Sequence, residues 1–246
     1  MEKQSYLNNS LSILEYNVFN GQITAIDLTK KTLINTINQY SYCIAEKDPN
    51  FKKALKNSDI LLPDGIAITF VSRIINGKKI KKIAGADIHK YLLEELNKTN
   101  GSCFYLGASQ ETLDKIKNKI STEYPKIKIQ TYSPPFQASF SDNETAKMIE
   151  AVNSFKPTVL FVGMTAPKQE KWSFENKERL DTNIICSIGA VFDFYAGTVK
   201  RPNKIWIKLG LEWFIRLIKE PKRMSKRYLY YGPIYFYYVF KFLLKK

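Results

Sequence analysis

The strongest constraint on the fold is an alternation. Short apolar runs, KKTLINTI (30–37), ILLP (60–63), CFYLG (103–107), KIKIQTY (126–132), PTVLFVG (157–163) and NIICSIG (183–189), recur along the chain. Between them lie DPNFKKALKNSD (48–59), GADIHKYLLEELNKT (85–99), QETLDKIKNKISTEY (110–124), NETAKMIEAVNSF (143–155) and PKQEKWSFENKERL (167–180). The first set reads as buried strands and the second as helices, with apolar residues such as Ile88, Tyr91, Leu92 and Leu96 at helical spacing. NIICSIGAVFDFYAG (183–197) reads as a final strand and its turn. Strand and helix alternating over short links dictate an α/β fold with a mainly parallel sheet and helices on both faces.

In such a sheet ligands bind beyond the carboxyl ends of the strands. The polar clusters fall there: Thr36 and Asn38, Asp64-Gly65, Gly107 to Ser109, Gly163 to Glu170, and Asp193. Asp64 in LLPDG reads either as an ordinary turn residue or as a general base at a strand end. YLGAS, running into a helix, offers backbone N–H groups suited to a diphosphate. The sequence lacks the Gly-Lys-Ser/Thr of a P-loop and a complete Gly-x-Gly-x-x-Gly, which argues against a nucleotide-sugar oxidoreductase. No Asp-x-Asp in a strand-end loop stands ready to hold a divalent cation, so amides and basic side chains must meet any diphosphate charge.

Composition narrows the classes further. With 246 residues, 44% of them hydrophobic, the chain can bury one sizeable core. Cys43, Cys103 and Cys186 are odd in number, far apart and set in apolar stretches, which predicts buried free thiols rather than disulfides or a metal site. His89 is the single histidine and reads as a packing or helix-surface residue, so His-based zinc chemistry and a Ser-His-Asp triad are disfavoured. The N-terminus shows no secretory signal pattern, and no apolar run reaches the roughly 18–20 residues of a spanning helix.

Charge divides the chain. Residues 200–246 hold thirteen Lys and Arg against Glu212 and Glu220, or +11 of the net +15. Two regions are therefore expected: an α/β catalytic domain over 1–199 and a basic amphipathic segment over 200–246. Within IWIKLGLEWFIRLIK, Trp206, Leu209, Trp213 and Leu217 share one helical face; PKRMSKR and the aromatic YLYYGPIYFYYVFKFLL follow. A helix pair folded onto the body would account for this pattern. Interfacial attachment to anionic lipid accounts better for so many aromatics with so little polar interleaving. Removing residues 200–246 is accordingly expected to release the chain from anionic liposomes. A non-catalytic membrane- or nucleic-acid-binding protein using this tail is the alternative from another class.

Taken together and in order, INTINQYS, DPNFKKALKNSDILLPDGIAI, KKIAGADI, YLGAS, VGMTAPKQEKW, IGAVFDFYAGTVKRP and GLEWFIRLIKEPKR resemble the WecG/TagA/CpsF glycosyltransferases over residues from about 20 to 227. The resemblance implies a Rossmann-like body with a helical C-terminal appendage. It also implies an inverting, metal-independent transfer of an N-acetylmannosamine-type sugar from a UDP donor to a polyprenyl-diphosphate-linked acceptor in teichoic acid, enterobacterial antigen or capsule synthesis. By that resemblance Asp64 is the general base and Thr36 lies beside the reacting sugar. Asn38, Gly65, Lys82, Asp87, Gly107, Gln169 and Glu170 fall on the donor side. Arg216, Arg223 and Arg227 close over the site and meet diphosphate charge. Pro63 stands where the family usually has Ala, and Lys82 where Arg is common; Lys cannot make Arg's bidentate fork.

The partners implied are a nucleotide-sugar donor, a lipid-diphosphate-linked acceptor and an anionic membrane surface. No cofactor, metal or nucleic acid is expected, and a homo-oligomer is left open. The location implied is cytoplasmic, peripheral on the inner face of the cell membrane.

Overall fold

The structure is a computed structural model that describes residues 6, 8–199, 202–203, 205–206 and 211–245, the Arg223 side chain excepted. The chain opens with a hairpin, β1 (Ser10–Ile13) against β2 (Tyr16–Phe19), joined through Leu14 and Glu15 at φ 50° and 67°. Left-handed residues at both turn positions match the right-handed twist of hairpin strands.

The main sheet has six strands: β3 (Thr32–Ile37), β4 (Ile60–Pro63), β5 (Ser102–Gly107), β6 (Lys128–Tyr132), β7 (Val159–Gly163) and β8 (Ile184–Ser187). Their order is β4-β3-β8-β7-β5-β6 and every pairing is parallel, as the alternation predicts. Strands β7 and β8 are buried at every residue, which is why they read as unbroken apolar runs. Edge strand β6 alternates instead and exposes Lys128 and Gln130.

The helices of the body are α1 (Gln39–Ala45), α2 (Pro49–Lys56), α3 (Ile66–Asn76), α4 (Gly85–Lys98), α5 (Gln110–Glu123), α6 (Asp142–Phe155), α7 (Lys168–Asn176) and α8 (Gly189–Ala196). Their starts are set locally. Asp48 caps α2 through the Phe51 N–H, Ser109 caps α5 through Thr112, and Ser141 with Glu144 forms a capping box on α6. Helices α4, α5 and α8 cover one sheet face with Leu92, Ile116 and Phe192. Helices α6 and α7 cover the other with Met148, Val152 and Trp172. A further cluster joins the hairpin, α1, α2 and α3 beside β3 and β4.

One expectation needs correcting. GAVFDFYA is helix α8 rather than a turn, so Asp193 sits inside a helix and not at a strand end. Val191 and Phe192 are its buried residues, and Gly197 at φ 77° closes its C-terminus.

After α8 come α9 (Glu212–Lys219), α10 (Pro221–Ser225), a π-turn (Lys226–Tyr230) and α11 (Tyr231–Leu243). Leu209 lies outside the described residues. Helix α11 continues directly from the π-turn and runs through Gly232-Pro233. Tyr231, Tyr235 and Val239 are buried in the cluster that contains Tyr42 and Cys43, while Phe236, Tyr237, Phe240 and Leu244 are exposed. No helix among the described residues is long and apolar enough to cross a membrane.

Candidate active site

The carboxyl ends of the strands gather most of the expected residues into one edge. At β5 and β7 the outgoing connections diverge: α5 leaves to one sheet face and α7 to the other. Such a switch point opens a crevice. Gly107 and Gly163 are register partners at its floor, and the Ala108 N–H donates to Gly163 O at 3.1 Å. Gly107 has φ 112°, and a Cβ there would sit 2.5 Å from Gly163 O and 2.7 Å from its carbonyl carbon. Both the dihedral and the close backbone approach demand glycine. Gly107→Ala is expected to lower the unfolding free energy by at least about 2 kcal/mol, read by urea denaturation. An unchanged midpoint would mean that the crevice floor yields.

The Asp64 turn lies three strand spacings from β7, at the end of β4. The Asp64 N–H donates to Ile37 O at 2.9 Å, which anchors the turn on β3. Gly65, at φ 113°, is packed so that a Cβ would meet Gln39 Oε1 and the Asn38 Cβ at 3.4 and 3.6 Å. Asp64 itself is half-buried, and Thr36 lies alongside, in register with Leu62. Asn38 caps α1: its Oδ1 accepts from the N–H groups of Tyr40 and Ser41, both at 3.0 Å. Its fixed position follows from that capping box.

The loop between α3 and α4 closes a second side. The Ile83 N–H donates to Pro63 O at 3.0 Å, pinning Lys82 near the Asp64 turn. Asp87 reaches back to accept from the Ala84 N–H at 2.9 Å. Its carboxylate therefore shapes this loop, as a residue in the first turn of α4 can. Lys82 Nζ meets Glu212 of α9 at 3.0 Å, with both side chains mostly buried.

That ion pair brings the C-terminal segment over the site. Arg216 stacks on the Phe194 ring of α8 at 5.2 Å, and Arg227 on the Tyr40 ring at 4.7 Å. The Nε and Nη2 atoms of Arg216 are buried with no hydrogen-bond partner among the described residues. Buried guanidinium N–H groups without acceptors are costly, and an anion could satisfy them. Tyr228, from the π-turn, lies among these groups. Burial raises its phenol pKa, Asp64 and Glu212 add to the rise, and Arg216 and Arg227 oppose it. Nothing in the residue pattern pointed to Tyr228, Glu212 or Phe194, because only the folded tail brings them here. The side chain of Arg223 lies outside the described residues.

Gln169 and Glu170 are both buried, and they face each other rather than open solvent. The Gly189 N–H donates to Gln169 Oε1 at 3.2 Å, and Gln169 Nε2 donates to Glu170 Oε1 at 2.8 Å. A backbone N–H can only donate, so it fixes the orientation of the Gln169 amide. Glu170 is 2% exposed, its Oε2 has no partner among the described residues, and burial raises its pKa to about 7. The pair braces the β7–α7 turn against the start of α8. His89 is buried, 2.6 Å from the Tyr105 hydroxyl, its pKa lowered by burial to about 3, and is the packing residue its place in the helix suggested.

A half-buried carboxylate and partly buried arginines thus stand at the strand ends of a parallel sheet, where α/β enzymes hold their substrates. The family model "Glycosyl transferase WecG/TagA/CpsF family" matches residues 5–246, so the chain belongs to that family and is a glycosyltransferase. It is 33% identical over 222 residues to a Bacillus subtilis (strain 168) protein, covering 90% of this chain and 82% of the relative. A Bacillus spizizenii protein is 26% identical over 205 residues, covering 83% and 78%. One from Staphylococcus aureus (strain MW2) is 25% identical over 239 residues, covering 97% and 84%. All three carry the name N-acetylglucosaminyldiphosphoundecaprenol N-acetyl-beta-D-mannosaminyltransferase. Family membership sets aside the non-catalytic alternative.

Proposed function

We propose that the chain transfers an N-acetylmannosamine unit from UDP to a hydroxyl of a GlcNAc-diphospho-polyprenol, with inversion and without a metal ion, in cell-wall polysaccharide synthesis. The observation that carries this reading is Arg216, two of whose guanidinium nitrogens are buried with no hydrogen-bond partner among the described residues, in the cluster that includes Asp64. A base and an anion site together suit a reaction that deprotonates a nucleophile and releases a diphosphate.

Asp64 accepts the proton of the acceptor hydroxyl as its oxygen bonds to the anomeric carbon. The bond from that carbon to the UDP oxygen breaks, and UDP leaves with the electron pair. Backbone amides at the start of α5, beyond Gly107, and the arginines of the C-terminal segment offset the charge that develops. From β7 across β8 and β3 to β4 is about 14 Å at about 4.8 Å per strand. A nucleotide-diphosphate-sugar suits that span better than a monosaccharide does. Thr36 and Asn38 border the sugar end, and Lys82, held by Glu212, lends charge beside it. The lipid-linked acceptor implies work at a membrane surface, its inner face by this reading, and a part for the C-terminal segment in reaching it.

The test is incubation of the purified chain with UDP-N-acetylmannosamine and a short-chain GlcNAc-diphospho-polyprenol in EDTA, with mass-spectrometric detection of the disaccharide-lipid. A product is expected, together with a UDP-induced rise in melting temperature. No product from this donor, but product from another UDP-sugar, would refute the donor assignment. Arg216→Ala is expected to cut kcat/KM by about 10²-fold or more, as loss of a charge-stabilising donor does. A value near wild type would take Arg216 out of the anion site.

A further inference from the structure

Helix α3 begins directly after Gly65 and is apolar on two sides. Ile68, Val71 and Ser72 are buried in the body. On the outer side Ile66, Phe70 and Ile74 are 52%, 53% and 47% exposed. Their spacing of four places them in one row. An apolar row on the outer side, opposite the face already packed on the body, calls for a second apolar phase, and among the described residues nothing covers it.

Charge identifies the missing phase. From Gly65 to Ala86 the sequence has no Asp or Glu, while Arg73, Lys78, Lys79 and Lys81 are exposed on α3 and the loop leaving it. An apolar row with a purely basic rim fits an anionic bilayer surface, with apolar side chains at acyl depth and cations among the headgroups. The placement also has a use. Helix α3 is continuous with the Asp64 turn at one end and, through Lys82 and Glu212, tied to α9 at the other. A lipid-linked acceptor presents its sugar at the headgroup level, so docking on α3 brings the base to the substrate.

We propose that the outer face of α3 is a bilayer-docking surface for anionic lipid, distinct from the C-terminal segment and belonging to the α/β body. Its purpose rests on the lipid-linked acceptor of the proposed function, but its test needs no turnover.

The full chain is given Phe70→Cys and labelled with an environment-sensitive fluorophore; Cys43, Cys103 and Cys186 are buried, so labelling is selective. With vesicles of phosphatidylcholine and phosphatidylglycerol the emission is expected to shift blue and to be quenched by brominated lipid. Vesicles of phosphatidylcholine alone should give neither effect. The double variant Phe70→Ser, Ile74→Ser is expected to bind the anionic vesicles at least about tenfold more weakly, with an unchanged melting temperature. Unaltered emission while the chain sediments with vesicles would overturn the proposal and leave attachment to the C-terminal segment. A blue shift that grows with protein concentration in the absence of lipid would also overturn it, by showing that this face covers a second copy of the chain.

Discussion

Asp64→Asn is expected to lower turnover by at least about 10²-fold, while the melting temperature and the UDP-induced stabilisation stay near wild type. The size follows from the role. Asparagine keeps the shape of the side chain and cannot accept the acceptor's proton at neutral pH. The turn itself is held by backbone bonds, from the Asp64 N–H to Ile37 O and from the Ile83 N–H to Pro63 O, and these do not depend on the carboxylate. Transfer therefore separates from folding in this variant. Turnover within a few-fold of wild type would remove Asp64 from proton transfer. A collapse of UDP binding along with turnover would make its role one of donor contact.

Glu170→Gln should act in the opposite sense, on stability. The Glu170 carboxyl has its pKa raised by burial from 4.5 to about 7, so the folded state holds a proton that the unfolded state releases. By linkage the wild-type chain has this contribution in full below about pH 4.5 and loses it as pH rises through about 7. The total is roughly 3 kcal/mol at alkaline pH. Glutamine keeps the acceptor for Gln169 Nε2 and carries no charge. The variant should match wild type at pH 4–5 and exceed it at pH 8–9 by an amount approaching that figure. At roughly 2–4 °C per kcal/mol for a chain of this size, the gap is easily seen in melting curves. A pH-independent offset between the two proteins would show that Glu170 does not titrate in this window.

The sheet was legible in the sequence because its central strands are buried on both faces and therefore appear as unbroken apolar runs. The Asp64-Gly65 turn was legible for a related reason: a buried strand must end in polar residues where the ligand edge begins. The environment of those polar residues was not legible. Gln169 and Glu170 look alike in sequence whether they face substrate or each other, and the Gly189 N–H that settles the geometry comes from another part of the chain. GAVFDFYA was misread for want of contrast, since its exposed and half-buried positions carry Ala, Phe and Tyr instead of a polar face that would betray its period. The exposed row on α3 was hidden by the same effect. Ile66, Phe70 and Ile74 are as apolar as the buried Ile68 and Val71, and only the fold separates them.

The packing of α11 changes what a shortened chain would report. Tyr235 is fully buried against Tyr42, with their ring centroids 5.3 Å apart, and Tyr231 meets Tyr40 at 5.1 Å. Tyr40 and Tyr42 belong to the helix whose first turn Asn38 caps. The last helix is thus a wedge behind the Asp64 end of the candidate site, and a stop codon ahead of it would strip aromatic side chains from the interior along with the exposed ones. A loss of vesicle binding in such a product would therefore not by itself report a lost membrane contact. Substitutions confined to outward residues such as Phe236 and Phe240 are the variants able to tell attachment from integrity.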